Sequence, residues 1–197
     1  MKKNIDQLEK KLNVVIKNKP LFLQALTHKS SNSELNNEKL EFLGDRVIGL
    51  VLSKKLFDLY PDENEGVLDK RFAKLVNRKT CASIFWSLGI MKYVDLGNFK
   101  KLNKNDEKIL SDSCEALIGF IFIDQGYDIT RKFILNVWKK KIDKSYVTIL
   151  DPKTKLQEYS LKHYKKLPVY RLVNSKGPKH KQTFKPRGKL DPSGRHQ

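Results

Sequence analysis

The sequence predicts a mainly α-helical protein followed by a small α+β module. Apolar residues recur at helical spacing through most of residues 5–138, with polar, turn-rich breaks between the runs. Alternation of apolar and polar residues, typical of a strand, begins only at Val169. A chain of 197 residues with 39% hydrophobic side chains is long enough for one core of ordinary size and a smaller module.

Seven runs predict seven helices, which cover residues 5–15, 21–26, 38–59, 67–75, 78–88, 109–124 and 129–138. Pro20 opens the second helix and Gly89 ends the fifth, as these residue types commonly do. Polar loops are predicted at residues 27–37 and 60–66. The third helix, the longest of the seven, carries an unusual distribution of charge.

Three carboxylates lie on one side of this third helix. At roughly 100° per residue, Asp45 lies about 20° from Glu38, and Glu41 lies about 60° from it. The opposite arc is apolar and is predicted to face the core; it consists of Leu40, Leu43, Val47, Leu50 and Val51. Phe42 lies about 40° from Glu38, on the carboxylate side. This ring is therefore predicted either to contact solvent or to be buried by something other than its own core.

A second acidic pair, Asp112 and Glu115, lies in the apolar sixth helix at a spacing of three residues. Like charges in such a setting repel each other and resist ionisation, and a bound cation removes both penalties. The alternative is that the acids of the third helix are only the solvated face of an amphipathic helix. The second pair disfavours that alternative and points to a divalent-metal site.

The available ligands are carboxylate oxygens, which suit Mg²⁺, Mn²⁺ or Ca²⁺. No His stands three residues after Glu41 or Glu115, so a di-iron helical bundle is disfavoured. Cys81 and Cys114 are isolated in sequence, which disfavours zinc. Cys114 is predicted to pack in the core, and His28 is predicted to be a structural loop residue rather than a ligand.

The formal net charge is +18, which indicates a polyanionic partner. Residues 151–197 contain 13 Lys and Arg against 3 Asp and Glu, so this segment carries +10 of the total. Two cysteines make no disulfide framework, and the charged start is followed by no apolar leader, so we expect a cytoplasmic protein. The longest apolar run, residues 116–123, is too short to cross a bilayer, so no membrane partner is expected.

These motifs resemble those of the ribonuclease III endonucleases. Residues 37–45, Asn-Glu-Lys-Leu-Glu-Phe-Leu-Gly-Asp, are similar to the signature of that family, and residues 112–119 resemble its second acidic motif. Further landmarks match at residues 25–30, 64–66 and 108–112, in the same order. The resemblance implies an all-helical ribonuclease III-type endonuclease domain, which we assign to residues 1–146.

The resemblance also implies roles for individual residues. The implied metal ligands are Glu41, Asp45, Asp112 and Glu115, of which Asp45 and Glu115 are assigned as catalytic. Glu38 and Glu65 are expected to lie beside the cleaved strand or to support a dimer, and Phe42 is expected to insert into a partner subunit. Arg46 departs from the family, which usually has a small residue there, so it can contact phosphate or crowd the site.

The implied activity is Mg²⁺-dependent cleavage of double-stranded RNA by a homodimer, in the class that processes rRNA and mRNA precursors. Mn²⁺ is expected to substitute for Mg²⁺, and the products carry 5′-phosphate and 3′-hydroxyl ends. The main alternative is a non-catalytic protein that keeps the fold and binds double-stranded RNA. An acidic-helix metal store is disfavoured by the missing His ligands and by the positive charge.

Residues 151–184 resemble the first helix and first strand of a double-stranded-RNA-binding domain, whose remaining strands are missing. Asp151 and Pro152 open a helix, residues 168–173 form a strand, and residues 182–184 begin a second strand. The second helix of that domain, with its phosphate-binding lysines, is not found. We therefore expect an incomplete module, followed by a basic disordered tail at residues 185–197.

Overall fold

The computed structural model describes residues 2–31, 33–97, 102–145, 152–176 and 183–189. Two compact units divide the chain, Met1–Tyr146 and Val147–Gln197. The described helices of the first unit are α1 (Lys2–Leu12), α2 (Lys19–Ala25), α3 (Glu38–Leu59), α4 (Glu65–Val76), α5 (Arg78–Leu88), α6 (Glu107–Gln125) and α7 (Tyr127–Ser145). The second unit contains α8 (Pro152–Tyr164) and the strands β1 (Val169–Lys176) and β2 (Thr183–Lys189). The prediction of a mainly α-helical fold is confirmed.

Asparagine side chains begin several of the helices. The Oδ1 atoms of Asn18, Asn64 and Asn77 accept backbone N–H groups in the first turns of α2, α4 and α5, at 3.0, 3.1 and 2.9 Å. These bonds satisfy donors that a helix start leaves without an internal partner. Gly89 ends α5 in the left-handed conformation at φ 66°, which glycine adopts without strain. The predicted boundaries of α5 are therefore met at both ends.

Helix α6 lies at the centre of the first unit, where it packs against α2, α3, α5 and α7. It is buried on nearly every side, and its core residues include Leu117, Ile118 and Phe120. The Phe120 ring meets the Phe22 ring of α2 edge to face, with centroids 5.1 Å apart. Burial on all sides explains why the apolar sequence of this helix is continuous rather than confined to one stripe.

Several helix boundaries in the first unit differ from the predictions by two residues or more, and the ends of α1 and α7 show why. Helix α1 ends at Leu12 instead of residue 15, because Asn13 takes a left-handed conformation at φ 52°. Helix α7 extends to Ser145, well past the predicted end at Trp138. Ile142, one turn beyond Trp138, is also buried, so core contacts continue through the lysine-rich end of the helix.

The apolar face predicted for α3 is wrong at one position. Leu40, Val47 and Val51 are buried as expected, but Leu50 is 58% exposed. It lines an open groove of about 760 Å³ between α3 and α4. The helical wheel places Leu50 at the edge of the core-facing arc, and at that edge the side chain lines the groove instead of the core.

In the second unit, β1 and β2 pair antiparallel, with Val169 opposite Lys189 and Lys176 opposite Thr183. Residues 185–189 were predicted to belong to a disordered tail, and this is corrected: they form most of β2. Backbone pairing with β1 needs no apolar periodicity, which is why the sequence carried no signal. Pro186 lies beside an irregularity in the register, where a strand tolerates proline. The rest of the predicted tail, residues 190–197, lies outside the described residues.

Within the described part of the chain, no helix is both long enough and apolar enough to cross a membrane.

Candidate active site at the crossing of α3 and α6

Helices α3 and α6 approach each other at two glycines. A Cβ atom built on Gly44 would lie 2.8 Å from the backbone nitrogen of Gly119 and would collide with the backbone carbonyl of Glu115. A Cβ built on Gly119 would collide with the carbonyl of Leu40. Only glycine permits so close an approach of two helix backbones. The crossing brings Glu41 and Asp45, the acidic pair of α3, next to Asp112 and Glu115, the acidic pair of α6.

The four acids interact electrostatically across this crossing. Burial is the main cause that raises the pKa of Glu115 to about 7, and the charges of Asp45, Glu41 and Asp112 raise it further. A hydrogen bond from Ser111 Oγ, 3.0 Å from Glu115 Oε1, acts in the opposite direction. The pKa of Glu41 is also raised, first by burial and then by the charge of Asp112. The two helices therefore hold Glu41 and Glu115 where water stabilises their charges poorly.

Asp112 is the most deeply buried of the four, at 6% exposure. Its Oδ2 accepts a hydrogen bond from Lys108 Nζ at 2.8 Å and lies 3.7 Å from His28 Nε2. The backbone N–H of Ser30 donates to His28 Nδ1 at 3.2 Å, so the ring hydrogen of neutral His28 is on Nε2, facing Asp112. Burial is the first cause that lowers the pKa of His28, which favours this neutral form.

The sequence alone did not predict the contacts of Lys108 and His28 with Asp112. The Lys108–Asp112 pair has the spacing of four residues that predicts an ion pair on a helix, so a signal was present. His28 lies far upstream, and its position depends on tertiary contacts. Its backbone N–H donates to the carbonyl of Asp95 at 2.9 Å, beside a parallel bridge between Thr27 and Asp95. His28 lies in the predicted loop, but that loop places it against an acid of the site.

Several buried side-chain atoms of α3, α6 and the loop before α3 have no hydrogen-bond partner. Among the described residues, the side-chain atoms of this kind belong to His28, Asn37, Glu41 and Ser113. Buried polar atoms are normally paired, so each of these atoms has hydrogen-bonding capacity for a further polar group. Asn37 is fully buried, and its backbone carbonyl accepts the N–H of Glu41 at 2.8 Å, so its unpaired amide lies at the start of α3. These atoms lie in α3, in α6 or in the loop that precedes α3.

The remaining predicted site residues lie at the edge of the candidate site or away from it. Glu38 is exposed and pairs with Lys29 Nζ at 3.4 Å. Glu65, the first residue of α4, is exposed and lines the groove that also contains Leu50, Phe57 and Phe72. Phe42 is 65% exposed, which agrees with the prediction that its own core does not bury it. Cys114 is buried in the core, as predicted.

In the part of the chain that the structure describes, no three His, Cys, Asp or Glu side chains converge closely enough to form a ready-made metal site. Basic side chains pair with two of the carboxylates instead: Arg46 pairs with Asp45, and Lys108 pairs with Asp112. Mutual repulsion also favours separation of the four acids in the absence of a cation. The structure therefore brings the backbones of the two acidic pairs together without gathering three of their side chains into one metal-binding group.

Comparison with known proteins gives a consistent result. A family model described as Ribonuclease-III-like matches residues 18–142. The protein named Ribonuclease 3 from Pelagibacter ubique is 52% identical over 191 residues, which cover 96% of this chain and 86% of that protein. The Ribonuclease 3 of a Nitratiruptor species is 39% identical over 186 residues, covering 92% and 82% of the two chains.

Solved structures show the same likeness. The nuclease domain of ribonuclease III from Campylobacter jejuni aligns with a TM-score of 0.64 and 38% identity, covering 71% of this chain and 99% of that domain. That structure is described as showing flexibility in a region involved in dimer formation. Dicer from Pichia stipitis aligns with a TM-score of 0.55 at 22% identity, which is a likeness of fold.

Proposed function

This chain belongs to the ribonuclease III family, and we propose that Glu41, Asp45, Asp112 and Glu115 bind Mg²⁺ to cut double-stranded RNA. Family membership makes it an endoribonuclease of double-stranded RNA, and divalent-metal use is consistent with that membership. The choice of Mg²⁺, with Mn²⁺ as a substitute, and the assignment of ligands are specific to this proposal. The observation that carries it is the glycine-lined crossing that brings the two acidic pairs together.

The chemistry of the donor set fits a hard divalent cation. All four groups are carboxylates, the ligand type that Mg²⁺ prefers. Glu41 Oε2 is buried without a hydrogen-bond partner, and Glu115 has a pKa of about 7. Both features impose a free-energy penalty in the absence of a cation, and coordination to a positive ion would remove it.

When bound, the cation supplies an activated water for in-line attack on the phosphodiester and stabilises the charge that develops on the leaving 3′ oxygen. The protein's own side chains hold the proposed ligands in position. Ser111 orients Glu115 through its hydrogen bond, and Lys108 holds Asp112 through another, with His28 Nε2 3.7 Å from the same carboxylate. Asp45 and Glu115 are the residues whose loss abolishes the reaction, which yields 5′-phosphate and 3′-hydroxyl ends.

The active form is a homodimer in which Phe42 inserts into the partner subunit. The exposed ring on α3 supports this assignment, as does the open apolar groove between α3 and α4, which offers a complementary surface. Glu65 at the rim of the groove lies where it can support the interface, and Glu38 lies beside the acids where it can face the cleaved strand. Two sites related by the dimer axis would cut the two strands of a duplex.

Recognition of RNA depends on charge and duplex shape. The net charge of +18 supplies attraction to phosphates, and A-form RNA presents its minor groove, 2′-hydroxyls and phosphates rather than its bases. A partial double-stranded-RNA-binding module at residues 151–184 is part of this proposal, and helix α8 with the strand pair β1 and β2 supports it. Its role in this proposal is to attract RNA through its +10 charge.

Cytoplasmic processing of rRNA and mRNA precursors is the proposed setting. Cys81 and Cys114 support it, because both are free, buried thiols, which suits a reducing compartment.

The second candidate function is binding of double-stranded RNA without cleavage, and the pairing of Arg46 with Asp45 is the observation that favours it. Incubating the purified chain with a long RNA duplex, with and without Mg²⁺, separates the two functions. We expect cleavage to discrete products only with Mg²⁺, and product labelling should find 5′ phosphates. Tight duplex binding with no cleavage at any Mg²⁺ or Mn²⁺ concentration would establish the non-catalytic function.

A further inference from the structure

Arg46 contacts two residues to which the proposed function assigns different roles. Its guanidinium forms an ion pair with the carboxylate of Asp45 and lies over the ring of Phe42, 5.0 Å from the centroid. Both contacts are local, because the three residues lie within one and a half turns of α3. The guanidinium therefore contacts both neighbours on the surface of α3, although most of the Arg46 side chain stays exposed to solvent.

This ion pair gives Asp45 a positive partner in the absence of any metal. The other acid at the crossing with a basic partner is Asp112, which Lys108 and His28 contact. The charge of Asp45 itself raises the pKa of Glu115, after burial. A positive group on Asp45 therefore lessens the repulsion among acids that the fold forces together.

The same contact opposes the binding of a cation. A carboxylate that ligates a metal must turn from the guanidinium, and the displaced positive group remains near a divalent ion. The side chains of Arg46 and Asp45 are 64% and 46% exposed, so the pair is easily broken, at a cost below about fivefold in an equilibrium constant. Repulsion between Arg46 and the ion adds to this cost.

Resting on the proposed function of the four acids, we infer that Arg46 is an internal competitor for the cation at Asp45. It neutralises Asp45 in the metal-free protein and is displaced when the cation binds. It thereby sets the Mg²⁺ concentration at which the site fills. A small residue at this position would give a site that fills at lower Mg²⁺ and is less stable when empty. Arg46 acts through Asp45, so it is a positioning residue and touches no reacting atom.

The test is calorimetric titration of Mg²⁺ into the full chain and its Arg46→Ala variant at about 0.15 M salt, without RNA. We expect Arg46→Ala to bind Mg²⁺ about threefold to tenfold more tightly. In EDTA the variant should melt at a lower temperature than wild type, and Mg²⁺ should raise its melting temperature by more. Neither readout depends on catalysis.

Two further variants separate the ion pair from general charge. Arg46→Lys keeps a positive group next to Asp45, so its affinity should stay within about twofold of wild type. Lys39→Ala removes an exposed charge from the same side of α3, seven residues or about 10 Å along the helix, near the screening length in salt. Its Mg²⁺ affinity should change less than about twofold. Sedimentation at the concentrations used should give all four proteins the same oligomeric state.

The outcomes distinguish this inference from the proposed function. If wild type binds Mg²⁺ and Arg46→Ala binds it no more tightly, Arg46 is no competitor, while the four-acid site stands. If Lys39→Ala tightens binding as much as Arg46→Ala, net charge rather than the ion pair sets the affinity, and the inference is wrong. If neither wild type nor Arg46→Ala binds Mg²⁺, the cation site fails and the role of Arg46 fails with it.

Discussion

Gly44 of α3 and Gly119 of α6 face each other so closely that a Cβ built on either residue would meet the backbone of the other helix. The Gly44 Cβ would lie 2.8 Å from the nitrogen of Gly119, and the Gly119 Cβ would lie 3.2 Å from the nitrogen of Gly44. Both glycines lie within the family-like motifs, one residue before Asp45 and four residues after Glu115. The same contact that packs the core therefore sets the separation of the acidic pairs.

Replacing Gly44 with Ala should destabilise the fold by about 1–3 kcal/mol or more, because the new methyl group meets the rigid carbonyl of Glu115. Urea unfolding measures the change. Gly66→Ala is the control: the nearest atom to its new Cβ would be Asn64 Oδ1 at 3.7 Å, an ordinary van der Waals distance, so its stability should not fall. Equal stability of Gly44→Ala and wild type would mean that the helices can separate without loss of free energy.

Asp45→Asn and Glu115→Gln should each reduce cleavage of an RNA duplex at least about 100-fold while keeping duplex affinity. Removing a ligand takes away the charge that positions the cation. Even changes to residues that only contact a metal's ligands reduce metal affinity or activity about 10–100-fold. The basic surface that attracts RNA is unchanged in both variants. Single-turnover cleavage and a filter-binding titration measure the two properties. Near wild-type cleavage by either variant in ordinary Mg²⁺ would remove that residue from the ligand set.

The pKa of Glu115 predicts a pH dependence of stability in the metal-free protein. The folded-state pKa is about 7 against the ordinary value of 4.5. Folding therefore favours the protonated acid, and its contribution to stability is complete below about 4.5 and is lost as the pH rises through about 7. In melts recorded in EDTA, Glu115→Gln should abolish this contribution to the fall in melting temperature with rising pH. Mg²⁺ favours the carboxylate, so its stabilisation of wild type should grow over the same interval.

Glu107→Gln serves as the control for this pH series, since Glu107 is an exposed carboxylate in the first turn of the same helix. It should follow the wild-type decline. A wild-type decline that persists unchanged in Glu115→Gln would show that other groups cause it.

Phe42→Ala should weaken the homodimer by roughly 3–5 kcal/mol if the ring fills a pocket of the partner, by analogy with truncation of buried rings. Sedimentation over falling protein concentration reports the monomer–dimer equilibrium. Leu35→Ala is a suitable control, because Leu35 is 71% exposed and lies outside both α3 and the groove. An unchanged equilibrium in Phe42→Ala would make Phe42 an ordinary surface residue.

Deleting residues 151–197 removes 10 of the 18 net positive charges and none of the four proposed ligands. Affinity for duplex RNA should fall, and the slope of log affinity against log salt should flatten by roughly 0.9 for each phosphate that the shortened chain no longer neutralises, a value taken from duplex DNA. Cleavage at low salt and high enzyme concentration should persist. A salt slope equal to that of the full chain would show that this segment neutralises no phosphates.

The helices of the first unit could be predicted because their signals are local. Pro20 at the start of α2, the glycine end of α5 and the apolar spacing within each run act over a few residues. Residues 37–45 and 112–119 resemble motifs of a known family, and this resemblance implied that the acids of α3 and α6 act together. Strand β2 was largely missed, because backbone pairing with β1 leaves no side-chain pattern.

The sequence by itself determined that α3 and α6 each carry acids, since spacing on a helix follows from its fixed rotation per residue. Only the tertiary structure decided how those acids are held. Gly44 and Gly119 set the approach of the backbones, and the bridge between Thr27 and Asp95 places His28 against Asp112. Such contacts join residues far apart in sequence, and their geometry depends on how whole helices pack. The exposure of Leu50 has the same origin. A helical wheel gives the direction in which a side chain points, but it does not show whether another helix lies in that direction.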